Sequence, residues 1–152
     1  VTTLVLGVGH PDRGDDAAGP LAAEALAGTP GIDAQAVTAD PSALLGHPGW
    51  DRADDIVLID TVRTGARPGA IHRWSGPQLL AHLPATGGGT HDLGVATTLQ
   101  LAAALGRLPT HLTVIGIEGV RFTFGAPPTA AVQRAILVVT EALTRDLTHG
   151  VR

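Results

Sequence analysis

The sequence predicts an α/β domain, a three-layer α/β/α sandwich around a mixed, mostly parallel sheet of about five strands. Three observations carry this expectation. Short apolar runs of strand length, Thr3–Val8 and Ile56–Ile59, hold almost no polar residue, as strands covered on both faces require. They alternate with stretches of helical periodicity, which places helices on the faces of the sheet. The 152-residue chain is 44% hydrophobic but only 3% aromatic, so one domain's core must be built from Leu, Val, Ile and Ala.

Each element has its own local reason. Thr3–Val8 (TLVLGV) is a buried strand that runs into glycine-rich punctuation. Asp15 and Asp16 open a helical stretch to about Leu26, where early acids complement the helix dipole. Ile32–Val37 alternates apolar and polar residues, as a strand exposed on one side does. Asp40-Pro41-Ser42 begins a short helix or turn. Ile56–Ile59 is a second buried strand and is expected to stop at Asp60. Ala70–Trp74 is a weaker strand, expected to run antiparallel to its predecessor because the Thr64–Gly69 connection is short. Pro77–Leu83 reads as a short helix and Gly87-Gly88-Gly89 as a loop. Asp92–Leu105 reads as a helix that turns Leu93, Ala96, Leu99 and Ala103 to the sheet. Leu112–Ile117 is the last strand and Thr129–Leu147 a long closing helix.

Composition removes whole classes of chemistry. There is no Cys, Met, Tyr, Lys or Asn, and Ser occurs only at Ser42 and Ser75. Disulfides, thiolate nucleophiles, Cys-ligated zinc, Schiff-base lysines and lysine-bearing phosphate loops are therefore excluded. The formal charge is −4 with no basic run, so a nucleic-acid partner is not expected. No apolar stretch is long enough to span a bilayer, and no secretion signal precedes the first strand, so the expectation is a soluble, cytoplasmic protein with no membrane partner. Catalysis is left to carboxylates, histidines, arginines, a few hydroxyls and any metal they hold.

In an open α/β sheet, ligands bind beyond the carboxyl ends of the strands. Asp15 and Asp16 follow the first strand, Asp40 the second, Asp60 ends the third, His91 precedes a helix and Glu118 follows the last strand. Acids gathered on one edge repel, and a cation resolves the repulsion. Gly7-Val8-Gly9-His10-Pro11-Asp12 invites comparison with a dinucleotide fingerprint. Its third glycine is replaced by Asp12, and two acids stand where a pyrophosphate would sit, so no nucleotide is expected. Each residue also has a plainer reading. Asp16 could serve as a first-turn acid, Asp60 as a strand-end turn residue, and His91 beside Thr90 as part of a helix cap. His47, His72, His82, His111 and His149 share no spacing and read as surface or strand-end residues.

Four segments taken together resemble the hydrogenase maturation proteases, endopeptidases that trim the large subunit of nickel–iron hydrogenases. They are Leu4–Pro11 with Gly14-Asp15-Asp16-Ala17-Ala18-Gly19-Pro20-Leu21, then Ile59-Asp60, then Thr90-His91-Asp92-Leu93-Gly94, and Val114–Glu118 followed by Phe124-Gly125-Ala126-Pro127-Pro128. The resemblance covers nearly the whole chain. It implies Asp16, Asp60 and His91 as catalytic and metal-holding residues, with His10, Asp15 and Asp40 as accessory candidates. It further implies nickel supplied by the substrate, with another divalent ion such as zinc as the alternative, and a hydrogenase large-subunit precursor as partner. The implied reaction is metal-assisted removal of a C-terminal extension from that precursor. The alternative is a non-catalytic chaperone of the same fold that binds metal or precursor. The sequence departs from the family at three places. His10 stands where the family carries Asn, Pro41-Ser42 where it carries two glycines, and Gly119 where it carries Pro.

Overall fold

The computed structural model describes residues 2–38, 40–82 and 92–148. The elements in chain order are β1 (Thr3–Val8), a 3-10 turn (Gly14–Ala17), α1 (Ala18–Leu26), β2 (Ile32–Val37), a second 3-10 turn (Pro41–Gly46), β3 (Asp55–Arg63) and β4 (Ile71–Ser75). They continue with α2 (Gly76–His82), β5 (Asp92–Leu93), α3 (Ala96–Ala104), β6 (Leu112–Glu118) and α4 (Ala130–Thr148). The sheet runs β2-β1-β3-β6-β4, with the two-residue β5 added against β3. β2, β1, β3 and β6 are mutually parallel, while β4 runs antiparallel to β6. The expected mixed, mostly parallel α/β sandwich is what the chain forms.

Strand alternation divides the core into two layers. Leu4, Leu6, Val8, Leu58 and Val114 face one side and pack with Leu44, Trp50, Leu79 and Leu99, under the second 3-10 turn, α2 and α3. Val5, Val57, Ile59, Ile115 and Ile117 face the other side and pack with Ala18, Ala22, Val132 and Val139 of α1 and α4. β1, β3 and β6 are thus covered on both faces, which explains the apolar runs Leu4–Val8, Ile56–Ile59 and Val114–Ile117 within them. Edge strand β2 keeps only Ile32 buried, as its alternating sequence predicts. Among the described residues no helix is long and apolar enough to cross a membrane.

Three boundaries differ from the sequence expectation. β3 does not stop at Asp60 but continues through Thr61 and Val62 to Arg63, because β6 pairs with it as far as Val62↔Glu118. β4 runs opposite to β3 but is not its neighbour, since β6 lies between them. The single helix expected over Asp92–Leu105 is divided. Asp92 and Leu93 pair antiparallel with Arg63 and Val62, and helix resumes only at Ala96. The buried face of α3 is Thr98, Leu99 and Ala102, with Ala96 packed at its margin, while Ala103 is exposed. The expected loop at Gly87–Gly89 lies outside the described residues.

The topology fixes where a ligand belongs. From β1 the chain crosses by α1 to β2 on one side, then returns past β1 to β3 on the other. The carboxyl ends of β1 and β3 therefore form the switch point of the sheet. The start of α1 is drawn down onto these ends by a contact between glycines. A Cβ on Gly19 would lie 2.6 Å from the Ile59 carbonyl oxygen and closer still to that of Val8, and a Cβ on Gly7 would collide with the Gly19 carbonyl. Gly19→Ala must therefore push helix from strand, and urea unfolding is expected to show a loss of about 1–3 kcal/mol or more. Gly46→Ala, where a Cβ meets nothing within 4 Å, is expected to change stability by less than about 0.5 kcal/mol.

Candidate active site at the ends of β1 and β3

Two carboxylates predicted from sequence meet at the switch point. Asp16 comes from the 3-10 turn after β1 and Asp60 from β3, and both line one open cleft of about 170 Å³ together with Thr61. Thr61 sets both of them. Its hydroxyl donates to Asp16 Oδ1 at 2.9 Å, and its backbone N–H donates to Asp60 Oδ1 at 2.8 Å. The His10 backbone N–H donates to the other Asp16 oxygen at 2.9 Å. Asp60 is 3% exposed, so its carboxylate is desolvated and its position is over-determined by the sheet. The chain closes over it at Gly94, where a Cβ would stand 3.1 Å from Asp60 Oδ2 and 3.7 Å from Pro41 Cγ. A side chain there would press on the Asp60 carboxylate, and Pro41 borders the same position.

His91 lies outside the described residues. The residue after it, Asp92, pairs with Arg63 at the end of β3, three positions beyond Asp60 on the same strand. Among the described residues no three of His, Cys, Asp or Glu gather as a metal-holding group. The donor chemistry of Asp16 and Asp60, two hard carboxylates in one cleft, fits a divalent cation.

The accessory candidates separate clearly. Asp15 is fully buried, and all four acceptor positions of its carboxylate are used. Oδ2 accepts from the N–H groups of Val120 (2.8 Å) and Arg121 (3.0 Å), and Oδ1 from the N–H (2.7 Å) and hydroxyl (2.9 Å) of Thr129. Burial raises its pKa, but the bonds from Arg121, Val120 and Thr129 outweigh it and hold the carboxyl below its ordinary value. Asp15 is a structural tie, not a proton-transfer group at the cleft. His10 touches Asp16 only through its backbone. Its ring accepts from the Asp12 N–H at 3.1 Å and meets the Phe124 ring edge-on at 5.6 Å. Asp40 caps the second 3-10 turn by accepting from the Ser42 N–H at 2.9 Å. This bond lowers its pKa.

Glu118, expected among the gathered acids, is engaged elsewhere. It accepts from the Thr64 hydroxyl (2.6 Å), the Thr64 N–H (2.9 Å) and His72 Nε2 (3.1 Å). Burial raises its pKa, and the Thr64 and His72 contacts more than offset that. His72 in turn stacks flat on Trp74 at 5.2 Å. Sequence reasoning missed Thr61, Gly94 and the remaining cleft residues Arg13, Arg63 and Phe122. The one signal in the sequence pointing to Thr61 is its place directly after Asp60.

Asp15→Ala leaves the N–H groups of Val120, Arg121 and Thr129 without their acceptor, and urea unfolding at pH 7 is expected to show a loss of about 1–3 kcal/mol. Because the folded pKa of Asp15 is depressed, its contribution is complete above the unfolded carboxyl range and fades as pH falls through the lower folded value. The stability gap between wild type and Asp15→Ala should therefore be constant from pH 8 to about pH 5 and narrow only in more acid solution.

Comparison with known proteins gives the family and the fold. Residues 40–146 match the family described as HycI, hydrogenase maturation protease. The hydrogenase expression/formation protein HupD of Thiocapsa roseopersicina is 31% identical over 119 residues, covering 77% of this chain and 54% of that protein. The chain thus spans about half the length of that curated relative. The fold is similar to the solution structure of an endopeptidase from Escherichia coli, with a TM-score of 0.76, 23% identity and coverage of 100% of this chain and 96% of that one. It is also similar to the [NiFe] hydrogenase maturation protease HybD from Thermococcus kodakarensis, with a TM-score of 0.74, 22% identity and coverage of 97% and 99%. A match over most of its length, on a fold whose strand ends carry the two expected carboxylates, places the chain in the hydrogenase maturation protease family.

Proposed function

We propose that this protein is a cytoplasmic endopeptidase that removes the C-terminal extension of a nickel-loaded hydrogenase large-subunit precursor. The observation that carries the reading is the pairing of Asp16 and Asp60 in one cleft through Thr61. Family membership supports the reaction class, and the precursor as partner follows from that reading.

The nickel ion is part of the substrate in this reading, and Asp16, Asp60 and His91 would hold it. Two carboxylates and an imidazole suit nickel, and would suit zinc. The bound ion supplies polarisation of the scissile carbonyl or of a water. The chain's own residues do the positioning. Thr61 holds Asp16 and Asp60 in register with each other, and the His10 N–H fixes the second oxygen of Asp16. Neither serine lines the cleft and there is no cysteine, so neither of these nucleophiles is supplied there.

Incubation with a nickel-loaded precursor, read by the mass of the large subunit, is expected to show loss of the extension. Asp16→Asn, Asp60→Asn and His91→Ala should each slow cleavage by about 100-fold or more, and Thr61→Val by about 10–100-fold through loss of ligand orientation. Cleavage undiminished in Asp60→Asn would overturn the site. Precursor bound but left uncut by the wild type would instead favour a non-catalytic chaperone, a reading to which the proline bordering the cleft at Pro41 lends weight.

A further inference from the structure

The middle of α4 is apolar on more than one side. Ala135-Ile136-Leu137-Val138-Val139 is an unbroken apolar run longer than one helical turn. Ala135, Ile136 and Val139 are buried in the core with Val132 and Leu143. Leu137 and Val138 point the other way and are 59% and 56% exposed. A helix covered on one side needs only one apolar stripe, so the outer pair is unexplained by the fold of one chain. We propose that this outer face of α4 is the interface of a weak homodimer, in which α4 packs antiparallel on α4 of a second copy about a twofold axis at Leu137 and Val138.

Helix geometry gathers the patch. Two turns bring Arg134 and Glu141 nearly into line along the helix, and Leu137 and Val138 fall on either side of that line, midway between them. Each apolar residue is three or four positions from each charged one, so the four make one contiguous surface with neighbouring Cβ atoms about 5–6 Å apart. Arg134 and Glu141 are both exposed, and among the described residues neither is hydrogen-bonded or ion-paired. The next charge along this face, Arg145, stands 3.8 Å from Asp146 of its own chain.

The order of the charges selects the occupant. Arg134 and Glu141 lie about 5 Å on either side of the midpoint of the patch. An antiparallel twofold reverses that order, so Arg134 faces the partner's Glu141 and Glu141 faces the partner's Arg134. Leu137 and Val138 meet their own counterparts at the centre. A parallel pairing would set arginine against arginine and glutamate against glutamate, which is repulsive. Lone apolar side chains on a surface need no explanation. Here an apolar centre and both flanking charges are satisfied together by a second copy of the same surface. Such a contact is isologous and closes at two chains. One helix face is a small area, so the expected dissociation constant is about 10–500 µM. No residue of α4 lines the cleft, so the contact does not use it.

The test is sedimentation equilibrium of the full chain from about 10 µM to 1 mM at low salt, which is expected to show a reversible monomer–dimer equilibrium. Leu137→Ser and Val138→Ser should each weaken it by about 10-fold or more, with the circular dichroism of the folded chain unchanged. Arg134→Glu and Glu141→Arg should each weaken it by about 5-fold or more, because each single reversal sets like charges face to face. Combining the two reversals in one chain restores the dimer, and so does mixing the two single variants, since opposite charges then face each other again. A chain that stays monomeric to about 1 mM, a dimer that survives Leu137→Ser, or a double reversal that fails to restore it would overturn the proposal. A monomer that binds the hydrogenase precursor and loses it in Leu137→Ser would overturn it too, and would assign the face to the precursor.

Discussion

One buried carboxylate holds the framework of the cleft together. Asp15 sits in the 3-10 turn between β1 and α1, and its partners are the backbone of Val120 and Arg121 and the whole of Thr129. It therefore joins the segment carrying Asp16 to the segment carrying Phe122, more than a hundred residues away in sequence. Four acceptor positions filled by protein donors make this a desolvated anion without an opposing side-chain charge, compensated by backbone dipoles. The catalytic candidates are built around that tie. Asp16 is the next residue, Thr61 reaches Asp16 across from β3, and the chain after Arg121 presents Phe122 to Arg63.

The strands were legible because burial on both faces leaves a plain trace. Leu4–Val8 of β1, Ile56–Ile59 of β3 and Val114–Ile117 of β6 hold no polar side chain, and these runs could be read directly. The end of β3 was not legible for the same physical reason turned around. Asp60 and Thr61 are polar in sequence yet buried in the fold, because they bond to each other's neighbourhood instead of to water. The pairing of Asp92 and Leu93 with Arg63 and Val62 was invisible since it depends on a partner about thirty residues upstream, and helical periodicity alone ran straight through it.

The adjacent acids Asp15 and Asp16 show where residue type stops being informative. Both stood as candidates, and nothing in their flanking sequence separates an inward acid from one that faces a cleft. The narrow 3-10 turn separates them, sending one carboxylate into a cage of N–H groups and the other to the end of β3. His10 is a similar case. A histidine side chain suggested a ligand or proton donor, but the structure uses its backbone amide, a group any residue other than proline would supply. Family resemblance, not composition, singled out Asp16 and Asp60, because it carries positional information that composition lacks.

The order of strands in the sheet has a consequence for when the cleft comes into being. β4 has no partner except β6, and β6 lies between β4 and β3 although it follows β4 by about forty residues. A growing chain therefore exposes β3 and β4 as unsatisfied edges until β6 emerges and inserts between them. Thr129, which completes the Asp15 cage, comes later still. The carboxylate pair cannot be assembled by an N-terminal folding intermediate, however compact, since its framework is closed by the last quarter of the chain. Synthesis and completion of the cleft are thus ordered in time: the cleft acquires its geometry only when the entire sheet has closed, a late commitment that non-local parallel pairing makes slow.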